Sequence, residues 1–273
     1  MKLYPVLIII FVLTQVIYAE EEHSIDWVTG RVYSHLTISV PNDHNAASNR
    51  MIQMERAREQ AKVNYYRVLR LLNVEEGLSL LDYFDRDGYK SRELYSLIDN
   101  AKLYRIEYPD INSIRFTYYI NLYGPDSIMN ILMGGRESFT ESLQSYMGFN
   151  YSTDYTGVII DARGTLRSFN NYEVVVRPSL FIAVRDSNDR LVFNQYNVLP
   201  DVIRNTGMVG YSYDILADHT NRVGNRPLRI VATGVGDRQG AVIVISERDA
   251  KLMLSSDSTK EAIRNGRVVI IID

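Results

Sequence analysis

Between Ala46 and Leu72 the apolar residues Met51, Met54, Ala57, Ala61, Tyr65, Val68 and Leu72 recur every three or four positions, with Arg50, Glu55, Glu59 and Lys62 between them. That period belongs to one long amphipathic helix, with Asn45 or Asp43 as its candidate cap. On either side the pattern changes. Trp27 to Val40 is rich in β-branched and aromatic residues and stops at Pro41-Asn42-Asp43, so it reads as a strand. Lys102 to Tyr108 and Ser113 to Tyr123 read as a strand hairpin, with shorter helices at Glu75 to Phe84 and Ser91 to Asn100 before it. A helix with a single apolar stripe needs a sheet to cover. Residues 20–132 therefore predict a βα(αα)ββ helix-on-sheet unit of the α+β class.

The stretch from Met133 to Asp154 has weak periodicity and is the expected connection; residues 155–273 then read as a β-rich domain. Strand signals fall at Tyr155 to Asp161, Tyr172 to Val176, Ser179 to Val184, Leu191 to Phe193, Leu228 to Thr233 and Ala241 to Ile245. Two closing helices start at Ser246-Glu-Arg-Asp249 and Ser258-Thr-Lys-Glu261, each with a hydroxyl three residues before a carboxylate. Gly266 ends the second, and Val268 to Ile272 is a last, buried strand.

The first nineteen residues have the form of an export signal. Lys2 is followed by the apolar run Val6 to Leu13, and Ala19 stands before Glu20-Glu21-Glu22, so cleavage is expected between Ala19 and Glu20. The run is shorter than the ~20 apolar residues of a bilayer span. After processing the chain is expected to have no membrane span, and retention of the leader as an anchor is the alternative. With no cysteine the sequence excludes disulfides, thiol chemistry and a lipid on a leading Cys. An exported chain without cysteine points to the periplasm or another bacterial envelope compartment, or to secretion from it. A net charge of −3 gives no sign of nucleic-acid binding.

Candidate chemistry is sparse. Gly234-Val-Gly236 and Gly240 follow a strand but precede another strand, and a phosphate loop needs a helix N-terminus there, so a hairpin is expected. Asp85-Arg-Asp87-Gly88 resembles the middle of a calcium loop, yet Tyr83 and Leu94 stand where its strongest ligands belong. No cofactor, metal or catalytic residue is therefore predicted. Asp161, Arg163 and Gly164 close a predicted strand and read as a structural motif, with a salt-bridged acid that does chemistry as the alternative. Tyr118, Tyr119 and Tyr123 are the candidate interaction residues. They lie on or beside a strand of a predicted three-stranded sheet whose open edges another chain could extend.

The C-terminal half resembles a group of exported bacterial proteins, frequent in spirochaetes and deltaproteobacteria, related to the Lpp-twenty lipoprotein family. The residues that carry this are Thr156-Gly-Val-Ile-Ile-Asp161-Ala-Arg163-Gly164, Arg177-Pro178-Ser-Leu-Phe, Val184-Arg-Asp186-Ser-Asn-Asp189, Ala232-Thr-Gly234-Val-Gly236, Val244-Ile-Ser246-Glu-Arg-Asp249-Ala250 and Arg267 to Asp273. The N-terminal strand, helix and hairpin look like the small βαββ unit of that family, which also resembles flagellar assembly protein T. The resemblance implies envelope location and non-catalytic scaffold or ring assembly, as a homo-oligomer or within an envelope or flagellar complex. A small-ligand or glycan-binding module, or a hydrolase, using the loops near Asp161 and Arg163 is the alternative.

Overall fold

The computed structural model describes residues 23–39, 46–85, 88–111, 113–134, 140–148 and 153–273. Ala19, Glu20, the helix-cap candidates Asp43 and Asn45, and Arg86-Asp87 lie outside them.

The N-terminal part runs β1 (His23–Asp26), β2 (Arg31–Ser39), α1 (Ala46–Leu71), β3 (Asn73–Glu75), β4 (Leu78–Ser79), α2 (Leu80–Asp85), α3 (Gly88–Asp99), β5 (Lys102–Asp110), β6 (Ser113–Asn121) and α4 (Ile128–Met133). The single strand expected from Trp27 to Val40 is in fact a hairpin's second arm. Asp26 explains the break: its carboxylate accepts from the Val28 and Thr29 backbone N–H groups, at 3.0 Å each, and from the Thr29 hydroxyl at 2.6 Å. Such local bonding gives the backbone a turn in place of ladder pairing. The sheet is therefore four-stranded and antiparallel, in the order β1-β2-β6-β5, rather than three-stranded. The helix expected at Glu75 to Phe84 is also shorter, because Asn73 to Ser79 first make the small β3–β4 hairpin.

Alternation along β2 and β6 separates two faces. Val32, Ser34, Leu36, Ile114, Phe116, Tyr118 and Ile120 are buried on the side covered by α1, which supplies Ala57, Ala61, Tyr65 and Val68. Arg31, Tyr33, His35, Arg115, Thr117 and Tyr119 occupy the other side. Edge strand β5 is poorly suited to receiving another strand. It is bulged between Leu103 and Arg105 and again between Glu107 and Asp110, and it carries Pro109, Lys102 and Arg105. Bulges, proline and charge are devices that block edge pairing. Strand addition beside Tyr118, Tyr119 and Tyr123, expected from the sequence, is not what the sheet offers: β6 is interior, between β2 and β5, and the edge next to it is the bulged, charged β5.

The C-terminal part runs β7 (Val158–Asp161), β8 (Thr165–Arg167), β9 (Glu173–Val175), β10 (Ala183–Asp186), β11 (Leu191–Phe193), α5 (Pro200–Thr206), β12 (Gly210–Ser212), α6 (Thr220–Val223), β13 (Leu228–Val231), β14 (Gly234–Val235), β15 (Val242–Ile245), α7 (Glu247–Met253), α8 (Asp257–Arg264) and β16 (Val268–Ile271). One sheet has the order β11-β10-β15-β14, another the order β12-β16-β7-β13, and β8 pairs with β9. In the second every pairing is parallel. Val158, Ile160, Val268 and Ile270 face the main core, while Ile159, Val269 and Ile271 pack with Val223 on the opposite side. Burial on both faces is why β7 and β16 read as unbroken apolar runs. The fold is thus α+β. Ser246 caps α7 as expected, but α8 is capped by Ser256, whose hydroxyl accepts from Thr259 N–H at 3.1 Å, and not by Ser258.

One apolar core runs through both parts. The Leu180 and Phe181 N–H groups donate to Asn73 and Val74 carbonyls at 2.9 and 2.6 Å, and Trp27 meets the Tyr211 ring edge-on at 5.4 Å. Within the expected connection, residues 140–148 form a strap against the C-terminal half. Glu141 N–H donates to Tyr196 O at 2.7 Å, Ser145 Oγ to Leu254 O at 2.8 Å, and the Tyr146 hydroxyl to Asp186.

Candidate functional site

The three tyrosines singled out in the sequence occupy three different environments. Tyr118 is on the core face of β6, buried, with its hydroxyl directed to Met54 O at 3.4 Å. Tyr123 follows β6 and is wedged between the two halves. A Cβ built on Gly30 would stand 2.8 Å from its ring, and one on Gly207 2.7 Å. Both glycines have positive φ, +66° and +76°, so no L side chain fits either position without strain. Burial pushes the Tyr123 phenol up to about 12. Neither Tyr118 nor Tyr123 is placed to meet a partner. Tyr119 alone reaches the open face.

There Tyr119 joins residues that the sequence reading did not connect. Tyr33 lies directly across the ladder from Tyr119, their ring centroids 6.4 Å apart. The bulge in β5 inserts Tyr104 as an extra residue between Leu103 and Arg105 and brings its ring to 5.4 Å from Tyr33 and 6.1 Å from Tyr119. The Arg31 guanidinium sits 4.7 Å from the Tyr119 centroid, and that of Arg105 5.5 Å from the Tyr104 centroid. Arg105 also pairs with Glu107 at 3.1 Å. Beside the rings a shallow cleft of about 360 Å³ is lined by Ser24, Tyr33, His35, Arg115 and Thr117 among others. His35 bridges Thr117 Oγ1 at 3.1 Å and Ser24 Oγ at 3.4 Å. Strand alternation predicts that Arg31, Tyr33 and His35 share a face; the bulge that recruits Tyr104 leaves no mark in that alternation.

The second sequence candidate is consumed internally. Asp161 ends β7, and Arg163 returns to clasp it, Nε to Oδ1 at 2.9 Å and Nη2 to Oδ2 at 2.9 Å. That guanidinium holds the Asp161 carboxyl below the usual carboxylate range. Gly164 N–H donates to Asp273 Oδ2 at 2.6 Å, which ties the end of the chain to the end of β7. Asp161, Arg163 and Gly164 therefore close the rim of the parallel sheet. Gly234 and Val235 pair antiparallel with Val244 and Ile243, so the glycine-rich segment is a hairpin. Asp85 is the last residue of α2. Among the described residues no group of three or more His, Cys, Asp or Glu side chains is placed to hold a metal, and no helix is long and apolar enough to cross a membrane.

Residues 157–273, from the residue before β7 to Asp273, match the family model described as Treponema pallidum Tp0624, second domain. The C-terminal half is thus similar to a domain of a spirochaete protein. No curated protein matches the chain.

Proposed function

We propose that this is a non-catalytic protein of a bacterial envelope that works by assembly, with itself or within an envelope complex, through the open face of its N-terminal sheet. The observation that carries the reading is the Tyr33, Tyr104 and Tyr119 cluster with Arg31 across it. Tyrosine and arginine are the residue types that dominate protein contacts, because a large stiff ring or a planar cation buries much area at little entropic cost. The leader-like N-terminus and the spirochaete-type C-terminal half support the envelope setting. Kinship to Lpp-twenty or flagellar assembly proteins is part of the same proposal and rests on the motifs quoted above.

The test is sedimentation of the protein beginning at Glu20, at increasing concentration, together with cross-linking in cells. The unaltered protein is expected to self-associate or to yield a discrete adduct, and Tyr119→Glu to reduce either without lowering the melting temperature. A monomer at every concentration that also captures no partner contradicts the proposal.

A further inference from the structure

Where the turn between β1 and β2 meets α5, a polar cleft of about 310 Å³ is lined by Trp27, Thr29, Arg31, Asn121, Asn205 and Arg222 among others, and among the described residues no carboxylate side chain lines it. Two arginines in one cleft without an acid set it apart from the ion pairs elsewhere in the chain. Arg222 is held by main-chain oxygens alone: Nε donates to Gly266 O and Val268 O at 2.9 and 3.1 Å, Nη1 to Thr206 O at 3.0 Å and Nη2 to Gly207 O at 2.8 Å. A guanidinium has five N–H groups. These bonds use the Nε–H and one hydrogen on each Nη, which leaves a second hydrogen on each Nη. The Arg31 guanidinium is hydrogen-bonded to the Tyr33 side chain and lies over the Tyr119 and Tyr104 rings, with no carboxylate partner among the described residues. The nearest acid on the same turn, Asp26, is engaged by Val28 and Thr29.

We propose that this cleft binds a small oxyanion of the phosphate or dicarboxylate class, held by Arg31 and Arg222 with Asn121, Asn205 and Thr29 as neutral hydrogen-bonding groups. Charge-assisted, bidentate bonding is what a guanidinium with free N–H groups offers such an anion. Burial pulls the Arg222 pKa down, the mark of a cation short of compensating charge. The cleft spans the Trp27–Arg31 turn and α5, so occupancy would tie the two halves more tightly. The proposal shares Arg31 with the assembly reading, but the open-face tyrosines do not line this cleft and Asn205 and Arg222 are not part of their cluster, so Asn205→Asp tests the cleft alone.

The experiment is a titration of the chain from Glu20 with inorganic phosphate, and separately with succinate, at constant ionic strength, reading arginine Nε–H signals by NMR. A saturable shift of the Arg31 and Arg222 signals at millimolar anion is expected with at least one of the two, and which one separates the phosphate from the dicarboxylate class. Arg31→Gln and Asn205→Asp, both conservative at the cleft wall, should each weaken binding about tenfold or more. Arg222→Gln is less informative because its carbonyl bonds also hold the fold. A linear, unsaturable drift, which is how excluded salts act on any protein, or equal affinity in Arg31→Gln and Asn205→Asp, overturns the proposal.

Discussion

Tyr123 is one of the side chains that join the two halves. Its ring fills the space between two glycines, so Gly207→Ala should cost about 1–3 kcal/mol by overpacking and Tyr123→Ala about 3–5 kcal/mol by leaving a cavity. Chemical denaturation measures both, and Tyr119→Glu serves as the tolerated comparison. A second residue-scale prediction concerns acid. Burial pushes the Asp186 carboxyl up, but bonds from the Tyr146 hydroxyl and from Arg190 and Asn188 N–H overcome this and set its pKa below the ordinary value. A depressed carboxyl contributes stability fully above its unfolded pKa of ~3.9 and loses it as pH falls through the folded value. The melting-temperature gap between the unaltered protein and Asp186→Asn should therefore be constant at neutral pH and narrow below about pH 4. A gap unchanged down to pH 2 contradicts the assignment. Little of this was legible in the sequence. Three tyrosines within six positions look alike there, and only the ladder places Tyr118 in the core, Tyr119 outside and Tyr123 beyond the strand.

Element by element, the apolar periods were the readable part. The α1 helix ends within one residue of its predicted limit, β11 spans the expected residues, and the Val-Ile runs of β15 and β16 are strands buried at every position. Elements without a strong period escaped: α5 is short and enters through Pro200, and β1 lies ahead of a turn made by Asp26. The start of α8 was misplaced for a chemical reason. Its N3 residue is Thr259, a hydroxyl where the pattern looks for a carboxylate, so Ser256 went unrecognised beside Ser258. Ser256→Ala should cost about 1 kcal/mol. Ser258→Ala, at an exposed position inside the helix, should cost much less, and thermal melts of the two variants decide between the caps.

At the scale of the whole molecule, the last strand is also a central one. β16 lies between β12 and β7, so truncation before Arg267 removes the middle of the parallel sheet and should abolish the cooperative melt of the C-terminal half. The sequence announced β16 as buried but not its parallel neighbours, because pairing partners so distant along the chain leave no local pattern. The same limit hid the tyrosine cluster of the open face, which needs the β5 bulge to bring Tyr104 against Tyr33. That face is the centre of the functional account, and site-specific photo-cross-linking in cells tests it most directly. With the photoreactive residue at Tyr104, which is 48 % exposed, a discrete adduct should form and should disappear when Tyr119→Glu is added; the equally exposed Tyr213, at 51 %, should give none. No adduct from Tyr104, or one that persists unchanged with Tyr119→Glu, would contradict assembly through this face.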